Sequence, residues 1–147
     1  MISTNCLAML IAAMMWTESN GNEKAVGDGG RAWGCLQIRA EVIADVNRLY
    51  GLDYRMEDAF DTEKAQDICR MYLLYWGESL NCCTAKDYAR IWNGGPSGRR
   101  KPKTAVYWNK VKQHYDKALR EADQAAAGAE QKMRMELASN TRYQLSP

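Results

Sequence analysis

The sequence predicts a mainly α-helical domain with a glycine-rich loop or small hairpin after its first helix. Three observations carry that prediction. Apolar residues recur at helical spacing in five segments. Capping and stopping residues stand at the ends of most of those segments. No alternation of apolar and polar residues marks a long strand, while glycines cluster after the first segment. The 147 residues suit one domain, able to bury about two-thirds of its unfolded surface. With 46% hydrophobic and 26% charged residues, global disorder is excluded.

The first helix is expected to bury Leu7, Leu10, Ile11, Met14 and Met15, spaced i, i+3, i+4, i+7 and i+8. No charged side chain occurs before Glu18, and Glu18 is the next step of that apolar series. A carboxylate that continues a buried stripe loses hydration, which disfavours its charged form and raises its pKa. A carboxylic acid kept protonated near neutral pH in this way can serve as a general acid. The other reading leaves Glu18 at a fraying helix end, with Ser19-Asn20-Gly21 as the exit turn.

Residues 19–34 are rich in Gly, Asn and Asp, centred on Val26-Gly27-Asp28-Gly29-Gly30. These residues favour turns, and an irregular segment of this length is more often functional than filler. Gly34-Cys35-Leu36-Gln37-Ile38 follows, an apolar patch holding one amide. Residues 39–50 read as a second helix with Val42, Val46, Leu49 and Tyr50 on its inner face and Gly51 as its stop. Residues 52–60 form a connector. Asp61 or Thr62 caps a third helix that buries Ala65, Ile68, Cys69, Tyr72, Leu73 and Trp76. Thr84 and Asp87 form a capping-box pattern for a short fourth helix carrying Tyr88, Ile91 and Trp92, which stops at Asn93-Gly94-Gly95-Pro96. After the basic run Arg99-Arg100-Lys101-Pro102-Lys103, Thr104 is expected to open a fifth helix with Val111, Tyr115, Ala118 and Leu119 inward. Beyond it the composition shifts to Ala, Glu, Gln, Lys and Met. Residues 122–147 are therefore read as a helical extension, ending in a tail of a composition that permits disorder.

A net charge of +2 is too small to call for a nucleic-acid partner. Five cysteines, an odd number without paired CxxC spacing, give no support for zinc or any other metal. A reduced chain is the simpler expectation, with a disulfide from Cys82 or Cys83 left open. No cofactor is expected. The N-terminus lacks a basic leader and runs straight into Glu18, so it is read as a mature helix rather than a signal peptide. No stretch is long enough to cross a membrane, and a monomer is expected. His114, the sole histidine, lies in a charged stretch and is read as surface. Five Trp and eight Tyr against one Phe offer flat faces with polar edges, which suits sugars as well as a helical core.

Three polar islands remain: Glu18-Ser19, Gly34-Cys35-Leu36-Gln37 and Ile91-Trp92-Asn93-Gly94-Gly95-Pro96. Their order, with Gly27-Asp28-Gly29-Gly30 between the first two, resembles the lytic transglycosylase and goose-type lysozyme group, which cleaves the glycan strands of peptidoglycan. The resemblance covers roughly residues 7–115. It implies a lysozyme-like catalytic domain over residues 1–121, with Glu18 catalytic and Ser19, Gln37, Trp92, Asn93 and Tyr107 against the substrate. Two positions depart from the pattern. Trp92 replaces a tyrosine whose hydroxyl helps orient the glutamate, and Cys35 stands where a small or apolar residue is usual. Tyr107 is a candidate to restore the hydroxyl, or else a core residue. Gln37 has a second reading as an amide tied to backbone, and Asn93 as a helix stop.

The resemblance further implies that Glu18 acts twice on the MurNAc-GlcNAc β-1,4 bond. It protonates the bridging oxygen, then as carboxylate takes the proton of the muramoyl C6 hydroxyl, giving a 1,6-anhydro product. The tethered hydroxyl has a very high effective concentration, so water is not needed. Asp28, the one candidate for a second carboxylate, is flanked by glycines and expected to be poorly held. The sequence therefore favours the transglycosylase route. Two alternatives stand beside it: a hydrolytic muramidase that uses Asp28, and a non-catalytic glycan-binding structural module. The partner implied is the peptidoglycan strand. Made in the cytoplasm without a leader, the protein is expected to reach the cell wall by phage release, on a virion or through a secretion apparatus. The basic run at residues 99–103 either binds an anionic wall polymer or is simply solvated.

Overall fold

A computed structural model describes residues 1–144. Five α-helices and one hairpin follow in the order α1 (Thr4–Ser19), β1 (Val26–Gly27), β2 (Ala32–Trp33), α2 (Ala40–Tyr50), α3 (Thr62–Ser79), α4 (Ala85–Gly94) and α5 (Pro102–Gln144). The fold is mainly α, and the glycine-rich segment takes its hairpin form. Val26 lies opposite Trp33 and Gly27 opposite Ala32 in antiparallel register.

The core forms around α1, which packs against α3, α4 and α5. Ser3 caps it, its hydroxyl accepting the Cys6 N–H at 3.2 Å, and Leu7, Leu10, Ile11, Ala13 and Met14 are buried. Asn20 ends the helix in the left-handed region at φ 53, a conformation Asn tolerates better than most residues. The chain thus turns away immediately after Glu18-Ser19. Asp61 caps α3 by accepting the Lys64 N–H at 3.0 Å, and Thr84 caps α4 by accepting the Asp87 N–H at 3.2 Å. The expected inner residues of α3 are buried, except that Trp76 is only half-buried.

In α1 the expected Met15 is likewise only half-buried, and α2 and α5 differ from expectation as well. In α2 the buried pair is Ile43 and Val46, whereas Val42 is half-buried and Tyr50 exposed. Spacing places Val42 inward; packing against α3 buries the adjacent Ile43 instead, and Tyr50 stays at the rim with its hydroxyl donating to the Met71 carbonyl at 2.9 Å. Helix α5 begins at Pro102, not Thr104, as suits a residue whose missing N–H is an orphan anyway at a helix start. Thr104 is instead fully buried. Its hydroxyl accepts from Arg90 Nε at 2.9 Å and lies 2.6 Å from the Gly98 carbonyl and 2.7 Å from the Lys101 carbonyl, tying the basic run to α4.

Thr104, Tyr107, Val111 and Tyr115 form the buried face of α5. The same helix then runs on without a break, and every side chain from Glu121 to Thr141 is exposed. The last part of the tail expected from composition, residues 145–147, lies outside the described residues. All five cysteines are free. Among the described residues no helix is long and apolar enough to cross a membrane.

Candidate active site

A cleft of about 400 Å³ opens where the end of α1, the hairpin, the start of α2 and the α4–α5 connection meet. Glu18, Asp28, Gln37, Trp92 and Asn93 all line it, so five residues singled out from the sequence share one cavity. Glu18 is drawn there by the apolar stripe of α1: with Met14 fully buried one turn earlier, the carboxyl at the next turn faces the interior of the cleft.

Burial raises the Glu18 pKa from 4.5 to about 6. Three groups oppose that rise in part: the Tyr107 hydroxyl, the Arg39 charge and the Trp92 indole N–H, in that order. Tyr107 comes from α5. Its hydroxyl is buried without a closed hydrogen bond, yet stands close enough to the Glu18 carboxyl for the two to perturb each other. Burial, and then the negative Glu18, push the phenol well above its ordinary value, so it remains an O–H donor. Trp92 comes from α4 and is steadied by Tyr72, whose ring meets it edge-on at 5.9 Å and 83°.

Asp28 is not the loosely held residue that its glycine neighbours suggest. Its Oδ1 accepts from Arg31 Nη2 at 3.0 Å and its Oδ2 from Arg39 Nη2 at 2.8 Å. Two guanidinium groups thus hold the carboxylate, on a backbone turn closed by the Arg31 N–H donating to the Asp28 carbonyl at 3.3 Å. Arg39 serves both acids, pairing with Asp28 and lowering the pKa of Glu18. The sequence reading assigned Arg39 no role. A signal was present, because residues 32–38 carry no charge and Arg39 ends that run, the same feature that singled out Glu18.

Gln37 lines the cleft but has little amide left to offer. Its Nε2 donates to the Gly34 carbonyl at 3.0 Å and the Ala25 carbonyl at 3.3 Å. Since carbonyls only accept, these contacts set the amide's orientation. Its Oε1 lies where a Cβ on residue 27 would sit only 2.2 Å away, which explains glycine there. Gly34 is constrained likewise: its φ is +76, and a Cβ would fall 1.7 Å from the Ala59 carbonyl oxygen.

Two expected substrate contacts are placed elsewhere. Ser19 donates its single hydroxyl proton inward, to the Cys35 carbonyl at 2.8 Å, and does not line the cleft. It staples the end of α1 to the loop behind the cavity. Tyr107 is also absent from the cleft wall and sits buried against Glu18. Cys35, the second departure from the family pattern, is fully buried and serves as a small core residue. Asn93, exposed in the last turn of α4, reaches the cleft. So do Lys101 and Lys103 of the basic run. His114 is exposed. Among the described residues, no three His, Cys, Asp or Glu side chains are grouped to hold a metal.

The chain matches no protein-family model. It is 37% identical over 86 residues to a lysozyme of Ostrea edulis, a match covering 56% of this chain and 61% of that protein. It is 43% identical over 56 residues to a lysozyme of Magallana gigas, covering 37% and 41%. The chain thus spans less than two-thirds of the length of either relative. Among solved structures it resembles a chain in the crystal structure of Aeromonas hydrophila PliI in complex with Meretrix lusoria lysozyme, with a TM-score of 0.63, 24% identity, and 76% and 89% of the two chains covered. It also resembles Tapes japonica lysozyme, with a TM-score of 0.60, 24% identity, and 75% and 88% covered. The fold is therefore lysozyme-like. The names of these relatives support the lysozyme-like part of the resemblance, and not specifically its transglycosylase or goose-type part.

Proposed function

We propose that this protein is a lysozyme that cleaves peptidoglycan glycan strands by hydrolysis, with Glu18 as general acid and Asp28 as the second carboxylate. The observation that carries this reading is the pair itself: an acid with a pKa near 6 in the same cleft as a carboxylate held by Arg31 and Arg39. Glycoside hydrolysis needs a proton donor for the bridging oxygen and a carboxylate to stabilise the sugar cation or direct water to it. Environments that push two carboxyl groups to different tasks mark such pairs. In this role Glu18, largely protonated below about pH 6, donates to the oxygen of the MurNAc-GlcNAc β-1,4 bond. Asp28 faces the developing oxocarbenium ion, and Glu18 then recovers a proton from the incoming water. The names of the relatives support the hydrolytic outcome.

The transglycosylase route keeps one argument, that Glu18 suffices for it. Its other ground, a poorly held Asp28, is removed by the two ion pairs. Mass spectrometry of muropeptides separates the readings after borohydride reduction of a digest of purified peptidoglycan. Hydrolysis yields reducible ends, which are expected. Ends that are 1,6-anhydro and resist reduction would transfer the assignment to transglycosylation, and binding without any product would leave a glycan-binding module.

A further inference from the structure

Residues 88–115 contain seven Lys and Arg side chains and no Asp or Glu. This segment builds one wall of the cleft, and part of its charge is spent on holding that wall in shape. Arg90 donates to Thr104 Oγ1 at 2.9 Å and to the Lys101 carbonyl at 3.1 Å. Lys101 Nζ donates to the Gly94 carbonyl at 2.5 Å, and Lys112 pairs with Asp116. Lys103 is different. It lines the cleft, is exposed, and takes part in none of the ion pairs among the described residues. It also stands in the first turn of α5, which has no acidic residue and where a cation is disfavoured by the positive end of the helix. Among the described residues no ion pair offsets that placement. Arg39, the other arginine or lysine lining the cleft apart from Lys101, is already engaged by Asp28, which leaves Lys103 as the lining cation without an ion-pair or hydrogen-bond partner among the described residues.

We propose that Lys103 binds a carboxylate carried by the glycan strand, and thereby makes the cleft favour muramic-acid strands over neutral N-acetylglucosamine polymers. This rests on the cleft being a glycan site, as argued above. A neutral sugar offers Lys103 only hydroxyls and amides. A muramic residue adds an anion on a short ether arm. The anion is either the lactyl carboxylate itself, in peptide-free strands, or a carboxylate of the peptide attached there. The framework of Arg90, Thr104 and Lys101 holds the backbone from which Lys103 projects, while its flexible stem leaves the ammonium free to reach an anion on the strand.

The test measures binding rather than turnover, using the full chain carrying Glu18→Gln so that probes survive. Calorimetric titrations compare four disaccharides: di-N-acetylchitobiose, GlcNAc-MurNAc with a free lactyl carboxylate, and its dipeptide conjugate with the peptide carboxylates free or amidated. An exposed charge pair predicts an advantage of about two- to fivefold for a carboxylate-bearing probe over chitobiose, shrinking as salt is raised. The advantage should vanish when Lys103→Gln is added and persist with Lys103→Arg. Preference for the free lactyl probe identifies that group as the ligand, whereas loss of preference on amidation identifies the peptide. Equal binding of all four probes, or a preference that survives Lys103→Gln, overturns the role of Lys103 while leaving the glycan site standing. Failure of every disaccharide to bind overturns both.

Discussion

Replacing Glu18 with glutamine separates two consequences of burying that carboxyl, one for stability and one for catalysis. The folded protein holds the Glu18 proton more tightly than the unfolded chain does, with a pKa of about 6 against 4.5. Below the unfolded value both states are protonated and the group's contribution is fully present. As pH rises from there through about 6, the unfolded chain ionises first and the contribution is lost. The difference is worth about 2 kcal/mol. Glutamine does not ionise and escapes this loss. Relative to wild type, Glu18→Gln should therefore gain about 2 kcal/mol between pH 4 and pH 8. For a chain of this size that corresponds to roughly 4–8 °C in Tm. Unfolding both proteins in urea at the two pH values, followed by circular dichroism, reads the difference, and any pH-independent cost of the amide cancels. The same variant loses a positioned acid, so lysis of a peptidoglycan suspension should slow by at least about a hundredfold. A stability difference that is the same at pH 4 and pH 8 would refute the desolvation of Glu18. Lysis at the wild-type rate would refute its role as the acid.

Further outcomes follow from the same geometry. Tyr107→Phe removes the donor that most strongly restrains the Glu18 pKa, so the acid should stay protonated to higher pH. The alkaline limb of kcat/KM moves up with it, and a limb that stays put or moves down contradicts the contact. Asp28→Asn should cut hydrolysis by about a hundredfold or more, measured as release of reducing ends; full activity with anhydro products would point back to the single-glutamate route. Gly34→Ala meets both a positive φ and the Ala59 carbonyl, and should destabilise the fold by more than about 1 kcal/mol, a loss that an unchanged urea midpoint would disprove. Removing residues 122–147, whose side chains are exposed through Thr141, should shift stability by no more than about 0.5 kcal/mol; a larger drop in Tm would show that the extension belongs to the core unit.

What the sequence determines by itself is whatever a few neighbouring residues can encode. Leu7, Leu10, Ile11 and Met14 declare a buried helical face because their spacing matches one turn of helix. Asp61 and Thr84 sit at helix starts because a side-chain oxygen three residues from an orphan N–H can reach it. Glu18 stands out because it is the first charge on an apolar stripe. Even here the limits are local: the spacing in α2 places Val42 inward where Ile43 is the buried residue, and the sequence opens α5 at Thr104, a residue that packing buries instead. The tertiary structure decided which groups converge. Tyr107 comes from the last helix to stand against an acid on the first. Arg39 reaches across to Asp28 and turns a residue among glycines into a held carboxylate, while Ser19, next to the acid in sequence, faces away from the cleft. Periodicity reports the face on which a side chain lies but not what the opposite helix brings to meet it. That meeting depends on how whole helices cross and on which hydrogen bonds their ends find, both set by packing across the full length of the chain.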